Sequence, residues 1–237
     1  GLVGSEMCIR DRTNVYRERL PQQIIPGIMF SVGNNPPPIE ELRAMIESGD
    51  VQVIGEVTNQ YDGITPDDPR FEPYLQLAEE LDVPVGIHVG PGPPGVAYLF
   101  GPNYRARLHS ALTLEEILIK HPRLRLYVMH AGWPLGDDMV ALLWAHPQVY
   151  AGLGVISFAL PRKEFHNYLQ RLVDAGFGNR LMFGSDQMVW PEAIEFAIES
   201  IETANFLTPE QKRDILYNNA ARFFRFSDEQ KEAHLGR

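Results

Sequence analysis

The 237-residue sequence predicts an α/β protein built as a parallel (β/α) barrel. Three observations predict it. Apolar runs of strand length alternate with amphipathic stretches of helix length along most of the chain. Several of those runs stop abruptly on a chemistry-bearing residue: Glu56, His88, His130 and Asp186. The intervals between these positions are 32, 42 and 56 residues, and the last contains one further strand, so each unit has room for one strand and one helix. In parallel α/β proteins, function sits at the carboxyl ends of the strands.

Residues 23–30 read as a buried strand, with Pro26 its weak point. After Pro36, Pro37 and Pro38, the residues Leu42, Met45 and Ile46 repeat at helical spacing over 39–48, and Gly49 closes that helix. A strand over 51–55 ends in Glu56, and a polar loop leads to a helix over 72–81. The strand over 83–87 closes on His88. The loop over 90–108 is rich in Gly and Pro and too long for a plain connector. A helix over 112–120 precedes the strand 124–129, which closes on His130. Helix 137–145, strand 149–155 and helix 163–175 follow. The strand 181–183 then opens through Gly184 and Ser185 to Asp186. The rest reads helical: 191–204, then a helix with Thr208 as cap, Pro209 at its first position and Gln211 at its third, running towards Phe223. The tail from 227 to 237 is polar.

That makes six parallel strands, where a closed barrel of this type needs eight. The missing pair is expected before residue 13, leaving 13–237 as a partial barrel domain. Residues 1–12 show neither strand nor helix period and lack the features of a signal peptide. They look like a translated sequencing-adapter read, a non-native leader that would place the natural start further upstream.

Composition narrows the function classes. The chain is 44% hydrophobic and 22% charged, ordinary for a globular domain. Its net charge of -10, without basic clusters, argues against nucleic acid and anionic membrane as partners. No apolar run approaches the roughly 20 residues needed to span a bilayer. The single Cys8 excludes an internal disulfide framework and a cysteine-rich zinc site. A small-molecule substrate and a soluble, cytoplasmic setting are the favoured reading, with homo-oligomerisation of the full-length protein left open.

Two imidazoles and a carboxylate, each closing a different strand, suit a divalent metal that activates water. In the long loop, Arg105 and Arg107 would suit a carboxylate or phosphate on a substrate. Trp133 and Trp190 follow His130 and Asp186 closely, where they would line an apolar pocket. Exposed loop charge and plain packing are the competing explanations for these four. His121 and His146 precede strands and belong to the opposite, structural face. His109 and His166 have no partner pattern, and Asn218 and Asn219 read as helix-packing or capping residues.

The ordered set Pro84-Val85-Gly86-Ile87-His88-Val89-Gly90, Val128-Met129-His130-Ala131-Gly132-Trp133-Pro134, Arg180-Leu181-Met182-Phe183-Gly184-Ser185-Asp186 and Asn218-Asn219-Ala220-Ala221-Arg222-Phe223-Phe224 resembles the amidohydrolase superfamily, in particular its amidohydrolase-related (type 2) family. The resemblance implies a TIM-type barrel holding one or two divalent metals, with zinc the first choice. It makes His88 and His130 the histidines of the fifth and sixth strands, and Asp186 the aspartate of the eighth. Asp186 would then serve as metal ligand and general base. His130 would bind a second metal, position the water or polarise the scissile group. Glu56 matches a fourth-strand carboxylate that bridges metals in some members, with a carboxylate orienting a ligand histidine as the equal alternative. The family's first-strand His-x-His is absent from the sequence. Its absence leads us to expect weak or undetectable zinc binding and no turnover for residues 13–237 alone, both restored when such a segment is added upstream. The implied activity is metal-dependent hydrolysis of an ester, lactone or amide. The alternatives are nonoxidative decarboxylation of an aromatic or unsaturated acid, or an inactive barrel fragment.

Overall fold

The computed structural model describes residues 18–19, 23–187, 189–234 and 236. The leader expected at 1–12 lies outside them, as does any strand before residue 13.

The apolar runs form six strands: β1 (Gly27–Phe30), β2 (Val53–Val57), β3 (Val85–His88), β4 (Leu126–Met129), β5 (Tyr150–Gly152) and β6 (Leu181–Met182). All pair in parallel, in chain order, within one sheet. Parallel neighbours in chain order need crossover segments, usually helices. Ile39–Glu47, Glu72–Glu80, Glu115–Lys120, Gly136–Ala145, Arg162–Asp174 and Glu192–Glu202 supply them. Among the described residues no helix is long and apolar enough to cross a membrane.

Alternation along each strand separates two faces. Val85, Ile87, Leu126, Val128, Ala151 and Leu181 are fully buried in the main apolar core, against the helices. Gly86 and His88 pair with Tyr127 and Met129, and these four turn to the barrel interior. That interior is less densely filled: Tyr127, Met129, Tyr150 and Gly152 are only partly buried. Phe223 packs on Tyr127 and Tyr150, with ring centroids 5.6 and 5.0 Å apart.

Among the described residues β1 pairs only with β2, and β6 only with β5, so the sheet is open between β1 and β6. Met29 on β1 is 43% exposed, as expected for a strand with one free edge. The observed strands are shorter than the apolar runs that announced them. Residues 149–155 contract to Tyr150–Gly152, and Val155, beyond the strand end, turns to a positive φ of 63°. The expected cap at Thr208 forms in full. Its hydroxyl accepts from Gln211 N at 3.2 Å, and Gln211 Oε1 accepts from Thr208 N at 2.8 Å. Asn219 donates to the carbonyls of Gly178 and Leu181, the packing role expected of it.

Candidate metal centre

Glu56 reaches the site because β2 carries an extra residue. Ile54 pairs with Ile28 and Val85, and Val57 pairs with Phe30 and Ile87, so three steps on β2 face two on each neighbour. Ile54 and Val57 both stay in the apolar core. The two residues between them, Gly55 and Glu56, share a single interior place, which turns the carboxylate across the sheet end. His88 ends β3, and His130 follows β4 directly. His130 and Asp186 both hold positive φ, 61° and 53°. Non-glycine residues seldom adopt such angles, and they gather at functional sites.

Three ligand atoms face one another there. Glu56 Oε1 lies 2.5 Å from His88 Nδ1, His130 Nε2 lies 3.0 Å from the same nitrogen, and Glu56 Oε1 and His130 Nε2 are 3.5 Å apart. A tetrahedral ion with bonds of about 2.0–2.2 Å separates its ligand atoms by about 3.3 Å. The observed spacings bracket that value, and a divalent ion would be admitted once Glu56 and His88 part by about 0.8 Å, the other two spacings changing by a few tenths. The His130 ring is fixed from behind: its Nδ1 donates to the Gly154 carbonyl at 3.0 Å, which leaves Nε2 facing inward. His88 Nε2 is buried with no hydrogen-bond partner. The Gly90 backbone favours the charged form of that ring, yet the Gly90 carbonyl already accepts from Gln60 and lies against the Tyr104 hydroxyl. The donor set carries the fit: two imidazole nitrogens and a carboxylate oxygen, the atom types a divalent metal takes, face one another in a site almost closed to solvent. The residues present fit a divalent metal.

Electrostatics bind the group together. Burial alone would raise the carboxyl pKa of Glu56, but the two imidazoles outweigh it and bring it down to about 2. Burial disfavours the charge on His130, and Glu56 more than offsets this, so its pKa stands above the ordinary value. His88 is pushed down, by burial first and by His130 as well. Asp186 is raised to about 6, by burial and then by the negative charge of Glu56. Asp186 thus shares the pocket, across Gly154 from His130: a Cβ on Gly154 would meet Asp186 Cβ at 3.2 Å. Its carboxylate stands outside the group of atoms within 4.8 Å of one another, which comprises Glu56, His88 and His130.

A family model for amidohydrolases matches residues 9–226. The chain belongs to the amidohydrolase family. No curated protein matches it. Among solved structures it is similar to a TIM-barrel protein from Bordetella bronchiseptica, at 16% identity and a TM-score of 0.69, over 91% of this chain and 72% of that one. It is also similar to a 5-carboxyvanillate decarboxylase from Novosphingobium aromaticivorans complexed with manganese and 4-hydroxy-3-methoxy-5-nitrobenzoic acid (14% identity, TM-score 0.64, 94% and 70% covered). A third is a 4-oxalomesaconate hydratase from Rhodopseudomonas palustris (17% identity, TM-score 0.64, 96% and 72% covered). At these identities the likeness shows the fold, a TIM barrel.

The other expected site residues of this amidohydrolase are distributed as follows. Arg105 and Arg107 are exposed, and Arg105 donates to the carbonyls of Pro102 and Tyr104 in its own loop. Trp133 turns its indole N–H to Glu164 Oε1 at 3.2 Å, and Trp190 is 64% exposed. No hydrogen bond among the described residues joins these four side chains to Glu56, His88, His130 or Asp186. His121 is buried between Glu72 and Glu79, and His146 lies 3.8 Å from Glu115, both away from the metal group.

Several residues of the site escaped the sequence reading. The Tyr61 ring packs 4.7 Å from the His88 ring and also touches Phe100 and Tyr104. Tyr127 crosses the interior over Gly86, and its hydroxyl would stand 2.7 Å from a Cβ on Gly55. Burial and the charges of Glu56 and Asp186 raise the pKa of both phenols. Gln60, Tyr104 and His109 form a buried polar cluster behind β3. Tyr127 lies inside an apolar run but does not end it, and the others lie on no apolar run and at no strand end, the two signals available in one sequence.

Proposed function

We propose that this amidohydrolase is a metal-dependent hydrolase of a small organic molecule, adding water to an ester, lactone or amide carbonyl. The observation that supports the reading is the facing group of donor atoms from Glu56, His88 and His130. These three residues would hold a divalent metal, zinc as first choice, with Asp186 reaching in from the end of β6. When bound, the metal supplies Lewis acidity and makes water a nucleophile near neutral pH. Asp186, with a pKa near 6, is mostly ionised at neutral pH and close enough to its pKa to take the water's proton and return it to the leaving group. His130, held from behind by Gly154, keeps Nε2 turned towards the reacting centre. Trp190, Arg105 and Arg107, accessible on loops beyond the strand ends, are the proposed contacts for the distal part of the substrate.

A second reading is nonoxidative decarboxylation of an aromatic or unsaturated carboxylic acid. The aromatic wall of Tyr61, Phe100 and Tyr104 beside His88 favours it, as does the likeness to a 5-carboxyvanillate decarboxylase. There the protonated form of Asp186 would deliver a proton to the ring carbon as the carboxylate leaves as CO₂. Incubation of the metal-supplemented protein with lactones and with hydroxybenzoates separates the two. Acid release from a lactone supports the first, CO₂ from a hydroxybenzoate the second, and neither product refutes both.

A further inference from the structure

Gly90 is where the two histidine strands touch. It lies two residues beyond His88, and a Cβ built on it would meet His130 Cβ at 2.6 Å. Bare backbone alone fits there, so the position of Gly90 sets how closely His130 approaches the end of β3. The neighbouring Val89 carbonyl accepts from Gly132 N at 2.9 Å, which ties the loops after β3 and β4 at the same joint.

Three side chains hold that joint from behind. Gln60 grips both polar groups of Gly90: its Oε1 accepts from the amide at 3.3 Å, and its Nε2 donates to the carbonyl at 3.1 Å. The Tyr104 hydroxyl donates to the same carbonyl at 3.0 Å, accepts from Gly92 N at 2.8 Å, and is 2.6 Å from His109 Nε2. His109 also feels the Trp133 backbone, on the loop that carries His130. The three side chains are 3%, 7% and 8% exposed. Burial, then His88, pushes the His109 pKa down to about 4, so the ring is neutral and shares a hydrogen bond with the Tyr104 hydroxyl. Burying three polar side chains is costly unless they are paired, and an apolar plug would fill the same space more cheaply.

We propose that Gln60, Tyr104 and His109 are positioning residues: they clamp Gly90 and so fix the spacing of the His88 and His130 rings for metal binding. The inference rests on the metal reading of Glu56, His88 and His130 and is independent of the reaction assigned to it.

Tyr104→Phe removes one hydroxyl and keeps the ring against Tyr61, 5.5 Å away. His109→Gln keeps a hydrogen-bond partner for the Tyr104 hydroxyl, whereas His109→Leu removes it. Zinc affinity of each full chain is measured by competition with a chromophoric chelator, alongside the thermal midpoint of the metal-free chain. Tyr104→Phe and His109→Leu are expected to bind zinc about tenfold more weakly, the lower end for outer partners of metal ligands. Their metal-free midpoints should stay close to wild type, and His109→Gln should recover part of the affinity. The clamp is overturned if Tyr104→Phe binds zinc like wild type, if affinity falls only in step with metal-free stability, or if the wild-type chain binds no zinc. A wild-type chain that binds zinc but turns over neither lactones nor hydroxybenzoates would remove the proposed reaction. The clamp would still stand on a weakened Tyr104→Phe.

Discussion

Replacing Glu56 by glutamine removes one buried negative charge at nearly constant size. The carboxylate lies 2.5 Å from His88 Nδ1 and 3.5 Å from His130 Nε2, and these partners bring its pKa from 4.5 to about 2. At 1.36 kcal/mol per unit, that displacement corresponds to about 3 kcal/mol in favour of the charged carboxylate in the fold. The raised pKa of His130 is the other side of the same attraction and is not added to it. The carboxylate's share is fully present above its unfolded value of 4.5 and is lost as pH falls through about 2. The histidine's share is fully present below its unfolded value of 6.5 and is lost as pH rises through its higher folded value. The metal-free protein therefore gains most from the pair between pH 4.5 and 6.5. Glutamine keeps one hydrogen bond and loses the charge, so Glu56→Gln should destabilise the metal-free chain by about 1–3 kcal/mol at pH ~6 and by less at pH ~9. Urea unfolding of both proteins at the two pH values measures this. An equal loss at both, or a gain at pH ~6, refutes the reasoning.

Three further outcomes follow from the same geometry. Gly86→Ala puts a methyl closer than 3.0 Å to the Tyr127 ring, and overpacking should cost about 1–3 kcal/mol in urea unfolding; an unchanged midpoint would show that the ring moves freely. Asp186→Asn should lower kcat by about 10²-fold or more with metal content retained, and kcat like wild type would end its role in proton transfer. Zinc affinity should fall on going from pH ~8 to pH ~6, because the ion must displace the proton that Glu56 holds on His130; titrations showing no pH dependence would contradict that coupling.

The strand ends were legible because parallel strands buried on both faces leave apolar runs, and the residue that breaks each run marks the functional end. His88 and His130 were found this way, and Glu56 was placed at the right strand end. Its route into the pocket was not readable, since the extra residue of β2 shows only in the pairing of its neighbours. The helix start at Thr208 was legible because capping is a local code. Gln60, Tyr104 and His109 were invisible for the opposite reason. They meet through tertiary contacts between loops, and a histidine five residues from a tyrosine carries no periodic signal. The loop over 90–108 was expected to be more than a connector. It contains the short helix Val96–Leu99 and the 3-10 turn Ala106–His109, which delivers that histidine. Trp133 shows the limit of proximity along the chain: it follows His130 closely, yet its indole turns outward to Glu164.

The central claim is that Glu56, His88 and His130 form one divalent-metal site. Titration calorimetry with zinc, on the wild-type chain and on His88→Ala and His130→Ala, tests it most directly. Against the expectation of weak or undetectable binding drawn from the absent His-x-His, the facing donors predict one ion per wild-type chain and loss of that binding in both variants, each still folded by circular dichroism. Zinc binding that survives His88→Ala unchanged, or no binding by the wild-type chain, would contradict it.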